Sequence, residues 1–319
     1  MVAHPPLLVI VGPTGVGKTA VAVRLAAAVS MEAVNADSRQ VYRGMDIGSG
    51  KPTAAQRAAL RHHLLDVVDP DQRYHVARFR DEALRALGEI RGRGKLPAVV
   101  GGTGLYVRGL LKGLHPAPAA EPALRRALEA LAEARGVTAL HERLRALDPA
   151  AADRLHPHDR VRIVRALEIA GARQRAAGPG EPPPPGGWAR ATPPFRLLMV
   201  GLTRPRPGLN RHLADRVRDM VARGMMEEVR GLLGAGYDES QPGMNGIGYR
   251  QLCAVLRGRM RLEEAIRLTI LDTTRYAKRQ MTWFARDPEV EWIDVEAAGG
   301  MEGAAEEIRK RIERGGLME

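Results

Sequence analysis

Aromatic residues make up only 4% of this 319-residue chain, and cysteine occurs once, at Cys253. A single cysteine excludes an intramolecular disulfide and a cysteine-based zinc cluster. The scarcity of aromatics means that a core drawn from the 45% hydrophobic residues is built mainly of Ala, Val, Leu and Ile. No apolar run approaches the roughly 18 residues of a membrane span. The first residues, Met1 to Pro6, lack the positive segment of a signal peptide, and Leu7–Val11 is too short for its apolar core. A cytoplasmic protein with no membrane partner is therefore expected. Lysine is also sparse, with six beside 43 arginines, and acidic residues fall short at 37 against 49 basic ones.

The acid deficit leaves a net charge of +12, which points to polyanionic partners, nucleic acid first, and says nothing about fold. Arginine suits bidentate phosphate contacts, although the abundance of Ala, Arg, Gly and Pro equally fits GC-rich coding. The surplus is spread out. Residues 1–112 carry net +7, 113–195 net +3, 196–290 net +6, and 291–319 net −4. This is not a basic tail, and a disordered nucleic-acid-binding arm is not expected.

Domains of about 100–200 residues are typical, so two units, or one core with an insertion, are expected. Leu7–Val11 is a continuous apolar run of the kind found in buried parallel strands. Ala33–Ala36, Leu64–Val68 and Leu96–Val100 read as further strands, and Ala20–Val29, Ala77–Arg91 and a stretch from about Leu105 as helices. Strands alternating with helices predict a parallel α/β sheet. From Glu121 to about Ala177 the pattern is helical without a strand. Pro/Gly punctuation bounds it at His115–Pro118 and at Gly178–Gly187, read as an exposed loop or linker. Strand character returns at Phe195–Leu202, and 209–235 and 261–286 read as helical. The expected architecture is a P-loop kinase-like α/β core over 1–112 and 196–290, a helical insertion over 113–195, and an acidic C-terminal segment over 291–319.

Four clusters carry chemistry. Gly12-Pro13-Thr14-Gly15-Val16-Gly17-Lys18-Thr19 matches the phosphate-loop pattern between a strand and a helix. Its glycines let backbone N–H groups turn toward phosphates at a helix N-terminus, Lys18 adds a mobile charge, and Thr19 can ligate Mg²⁺. ATP, another nucleotide or any pyrophosphate would satisfy it. Asn35–Tyr42 follows a strand, where its Asp could hold Mg²⁺, act as a general base, or merely cap a loop. Gly101-Gly102-Thr103-Gly104 also ends a strand, and its glycines imply close backbone approach to a ligand or simply a tight turn. Thr274–Phe284 interleaves Arg275, Lys278 and Arg279 with Tyr276, Trp283 and Phe284, as phosphate contacts with stacking, or an ordinary amphipathic helix, would require.

Together with Gly246-Ile247-Gly248-Tyr249-Arg250, these blocks occur in the order seen in bacterial tRNA dimethylallyltransferases (isopentenyl-diphosphate:tRNA transferases), which the chain resembles over about residues 7–290. The resemblance implies a P-loop fold and transfer of a dimethylallyl group from dimethylallyl diphosphate to N6 of adenosine 37 in a tRNA anticodon stem-loop. It implies that Gly12–Thr19 hold the diphosphate with Mg²⁺, that Lys18 assists, and that Asp37 takes the N6 proton. Thr103 would lie beside the adenine. The tRNA contacts would come from Asp37, Ser38, Arg39, Gln40 and Thr103, from Val161, Arg162, Ile163, Val164 and Arg165, and from Asn245, Gly246, Ile247, Gly248, Tyr249 and Arg250. In Leu209-Asn210-Arg211-His212-Leu213, His212 stands where the family has an Arg, which leaves Arg211 or Arg216 to supply the charge.

Other readings are a small-metabolite kinase, against which the RNA-like blocks argue, a second prenyl-transferring enzyme, and a binding protein of a different class. An adenylate isopentenyltransferase acting on free AMP or ATP needs neither a helical insertion nor a distributed positive surface. A P-loop RNA-binding switch would bind tRNA without transfer. A monomer is the expected state.

Overall fold

The computed structural model describes residues 4–114, 121–176 and 192–317. The chain divides into two compact units, 1–113 with 190–319, and 114–189.

The larger unit begins with β1 (Pro6–Val11), α1 (Lys18–Leu25), β2 (Met31–Asn35), α2 (Ala54–Ala59), β3 (His62–His63), α3 (Val76–Gly92), β4 (Leu96–Val100) and α4 (Gly104–Lys112). The smaller unit holds α5 (Pro122–Arg135), α6 (Val137–Leu147), α7 (Pro149–Asp153) and α8 (Arg160–Ala176). The larger unit resumes with β5 (Arg196–Thr203), α9 (Arg206–Met220), a π-helical turn (Val221–Met225), α10 (Met226–Gly234), α11 (Tyr249–Leu256), α12 (Leu262–Phe284), β6 (Val290–Asp294) and α13 (Gly300–Arg314).

The six strands form one sheet in the order β3-β2-β4-β1-β5-β6, and every pairing is parallel. Val9 of β1 sits opposite Val99 of β4 on one side and Met199 of β5 on the other. The continuous apolar run of β1 follows from burial on both faces. Leu7, Val9 and Val11 join one core with Phe79, Leu87, Tyr106 and Phe284, while Leu8 and Ile10 join another with Val21, Leu25, Ile308 and Ile312. Because all strands run the same way, the loops after β1, β2, β4 and β5 gather along one edge of the sheet, where α/β proteins bind ligands.

The run Leu64–Val68 is not a strand. The ladder with β2 ends at His63, and Leu64 and Asp66 adopt left-handed φ values of 62° and 56°. This conformation breaks pairing and aims Asp66 at Lys51, whose buried ammonium also bonds Tyr42 O and Asp46. The helical stretch over 209–235 is divided by the π-helical turn, in which Gly224 takes φ 101°. Residues 291–319 are more than an acidic segment. They complete β6, which pairs with β5, and form α13, whose Ala304, Ala305, Ile308 and Ile312 are buried. The stretch 178–187 and His115–Pro118 lie outside the described residues. No helix of the described residues is long and apolar enough to cross a membrane.

The helical unit packs around Leu128, Leu140, Leu144, Ile163 and Leu167. Inside it, the carboxylate of Glu168 receives both Nε and Nη2 of Arg125 at 2.8 Å and Nη1 of Arg165 at 3.1 Å. Such bidentate pairing is what allows a carboxylate to be buried.

Candidate active site

The phosphate loop folds as its glycines require. Gly12, Gly15 and Gly17 have φ values of 138°, 78° and 103°, a region costly for residues with a Cβ. Protein closes in on the same positions, since a Cβ on Gly15 would strike Leu213 of α9 and one on Gly17 would strike Met301 of α13. The C-terminal helix therefore buttresses the loop.

Lys18 Nζ donates to the carbonyls of Gly12 and Pro13 at 3.0 and 2.8 Å. Burial lowers this ammonium to about 8; the nearby Asp37 opposes the shift and Arg216 adds to it. Thr19 occupies the first turn of α1, directly after Lys18.

After β2, Asp37 Oδ1 accepts from the amides of Arg39 at 2.8 Å and Gln40 at 3.4 Å, so the carboxylate organises its own turn. The amide of Ser38 donates to Thr103 Oγ1 at 3.1 Å, which joins the loop after β2 to the loop after β4. Arg39 reaches across to Pro242 O at 2.9 Å.

The glycines of the Gly101–Gly104 turn admit protein rather than a ligand. A Cβ on Gly101 would strike the carbonyl of Ala36, one on Gly102 would strike Gln280 Nε2, and one on Gly104 would strike the Trp283 ring. Gln280 and Trp283 lie one turn apart on α12. The close backbone approach predicted from the sequence is real, but its object is the Ala36 backbone at Gly101 and α12 at Gly102 and Gly104.

One cleft of about 310 Å³ collects Thr14, Asp37, Ser38, Arg39, Arg216, Asn245, Gly246, Ile247, Tyr249, Arg250 and Tyr276, with Val217, Met220 and Met225 as apolar lining. Burial pushes the Tyr276 phenol up to about 12; Asp37 adds to the rise and a hydrogen bond with Thr103 opposes it. Arg211 and His212 are exposed. Of the candidates for the missing family arginine's charge, Arg216 is the one that lines this cleft, packed so closely on Gly50 that a Cβ there would collide with it. Among the described residues no group of three or more His, Cys, Asp or Glu side chains could hold a metal.

Two of the expected RNA-facing segments contain buried residues. Ile163 and Val164 are 0% and 5% exposed in the helical unit's core, whereas Val161 is 80% exposed. Successive residues of a helix point about 100° apart, so a five-residue stretch necessarily includes inward positions. Of 161–165, Val161 and Arg162 are exposed and Arg165 is half-buried, the last ion-paired with Glu168. Tyr249 is likewise buried, its hydroxyl bonded to Glu228 at 2.7 Å. The same carboxylate accepts the amides of Asp46, Ile47 and Gly48, and so fixes the cleft wall at Gly48. Glu228 carries no local motif that would have revealed it.

A phosphate loop, a carboxylate and the half-buried cations Lys18 and Arg216 at the strand ends of a parallel sheet define the class of P-loop α/β proteins, whose loops suit a phosphorylated ligand. The IPP transferase family model matches residues 40–287, and a model described as isopentenyl transferase matches residues 5–69. A tRNA dimethylallyltransferase of Thermomicrobium roseum is 46% identical over 97% of this chain and 91% of its own length. That of Desulforudis audaxviator is 45% identical over 98% of this chain and 100% of its own. A solved tRNA isopentenylpyrophosphate transferase of Bacillus halodurans has a TM-score of 0.70 at 37% identity, covering 98% of both chains. A eukaryotic dimethylallyltransferase solved acting on tRNA gives 0.72 at 26% identity, over 91% of this chain and 74% of that one. The chain belongs to the IPP transferase family, the tRNA dimethylallyltransferases.

Proposed function

We propose that this chain transfers the dimethylallyl group of dimethylallyl diphosphate to N6 of adenosine 37 in tRNA, beside the anticodon. The observation that carries this reading is the convergence of Thr14 of the phosphate loop, Arg216 and the Asp37 carboxylate on one cleft. A leaving diphosphate needs cations, and a poor amine nucleophile needs a base within reach; the cleft offers both.

Gly12–Thr19 hold the diphosphate, with loop amides, Lys18 and Arg216 offsetting the negative charge that grows as it departs. N6 bonds to C1 of the donor as the C1–O bond breaks. The diphosphate leaves with the electron pair, and the N6 proton passes to the Asp37 carboxylate. The adenine must leave the anticodon-loop stack to reach the cleft, and Thr103, held by Ser38, lies on that side. Asp37 keeps Oδ2 outside the two amide bonds that fix its turn.

Mg²⁺ fits the residues present. Lacking a dedicated cluster of acidic ligands among the described residues, the site offers the Thr19 hydroxyl, which suits an ion bound chiefly through substrate phosphates and water. When bound, the ion neutralises diphosphate charge. Exposed Asn245 and Arg250 at the cleft and Val161, Arg162 and Arg165 of the helical unit supply contacts to the anticodon arm, within a positive surface that favours RNA.

Mass spectrometry of nucleosides from tRNA incubated with the protein, dimethylallyl diphosphate and Mg²⁺ tests this. A dimethylallyl adduct on A37 is expected. Its absence with RNA still bound would favour a binding switch, and modification of free AMP alone would favour the free-nucleotide enzyme.

A further inference from the structure

Gln280, on α12, is 5% exposed and uses both ends of its amide on two loops far away in sequence. Its Oε1 accepts the amide of Thr14 at 2.8 Å across 266 residues. Its Nε2 donates to the carbonyl of Gly102 at 2.9 Å across 178 residues. The partners decide the orientation of the side-chain amide, since a backbone N–H can face only Oε1 and a carbonyl only Nε2.

We propose that Gln280 is a positioning residue that sets the spacing between the diphosphate-binding loop and the acceptor-side loop at Gly102–Thr103. Thr14 belongs to the loop that holds the leaving group. Gly102 precedes Thr103, which receives the Ser38 amide beside Asp37. The chain Thr14–Gln280–Gly102–Thr103–Ser38 thus runs from the donor side to the base. Trp283, one turn further along α12, reinforces it, for it seats against Gly104 and its ring carries the guanidinium of Arg108 on α4 at 5.2 Å. Gly102 lacks a side chain because Gln280 occupies that space. The bridge also occupies the Thr14 N–H, so any diphosphate is held by the loop's other amides and Lys18.

The phosphate loop has independent support from Leu213 and Met301, so loss of the bridge should leave it folded and able to bind donor. What changes is the alignment of donor and acceptor, and a displacement near 1 Å at a reacting pair costs roughly 100-fold in rate. This inference rests on the transferase reading, and the wild-type reaction is therefore measured first; no product there would overturn that reading before Gln280 is touched.

Two variants address the bridge from opposite sides. Gln280→Met keeps the volume and removes both hydrogen bonds. Gly102→Ala places a methyl where Gln280 Nε2 now sits, at a position without positive φ. For both, the single-turnover rate with saturating donor and tRNA should fall about 100-fold. KM for each substrate and filter-retained tRNA binding should stay within about threefold. A single-turnover rate within about threefold of wild type in either folded variant overturns the proposal. So does a loss confined to donor KM with kcat preserved, which would make Gln280 merely a shaper of the loop. Loss of folding in both variants also overturns it, since the bridge would then be structural support alone.

Discussion

In the sheet-bearing unit, the groups that meet at the cleft come from positions as far apart as Thr14, Asp37, Arg216, Asn245 and Tyr276. In the helical unit, the residues expected to face RNA are five consecutive positions on α8, two of them turned into the core. Under the proposed function, the first arrangement sets a leaving group opposite a base, which needs several chain segments held by long-range bonds. Under the same proposal, the second presents charge to a phosphate backbone, for which the outer face of one helix is enough. The proposal therefore predicts precision at the cleft and tolerance on the outer face of α8.

That contrast can be broken at either end. The largest effect is expected at Asp37. Asp37→Asn keeps an acceptor for the Arg39 and Gln40 amides but removes the base, and turnover should fall about 10³-fold with tRNA binding retained. Near-normal turnover would remove Asp37 from its role and dissolve the idea of a convergent site. Next in size, Leu140→Ala in the helical core, where Leu140 is fully buried, should cost about 2–5 kcal/mol. Calorimetry should show this as a lowered transition for the helical unit, while fluorescence-monitored donor binding, which the proposal assigns to the other unit, persists. Simultaneous loss of both would show that the units do not separate energetically.

A smaller effect follows from Lys18. Its folded value, lowered by burial to about 8 from an ordinary 10.5, means that the ammonium is charged below that pH and loses its proton as pH rises through it. Donor affinity of the free enzyme should therefore decline above about pH 8, and bound diphosphate should move the break upward. A profile flat to pH 10 would remove Lys18 from donor binding. The smallest change is expected on α8. Arg162→Ala should weaken tRNA binding a few-fold, uniformly across sequences, and reduce the magnitude of the slope of log affinity against log salt by about 0.7–0.9. A 100-fold loss there would make the helical unit a site of precision rather than of charge.

Legibility from sequence follows the same division. The phosphate loop could be read because its function depends on spacing within eight residues, and β1 because a strand buried on both faces has to be apolar throughout. Leu64–Val68 misled because hydrophobicity does not reveal that Asp66 must turn toward Lys51. The glycines at Gly101–Gly104 were legible as a close approach, but not as an approach by Gln280 and Trp283. Arg216 stood among alternatives to the family arginine, and only the direction in which α9 presents its faces separated it from Arg211.

The sequence by itself determined the sheet, the phosphate loop, the helical insertion's character and a charge suited to RNA, because local spacing, periodicity and composition encode each of these. Tertiary structure alone decided which carboxylate and which arginine share a cleft, that the C-terminal residues form the last strand and a helix against the phosphate loop, and that one glutamine amide joins two loops. Those features depend on contacts between residues remote in sequence, such as Met199 with Val290 and Gly17 with Met301, and such contacts leave no mark on any short window of the chain.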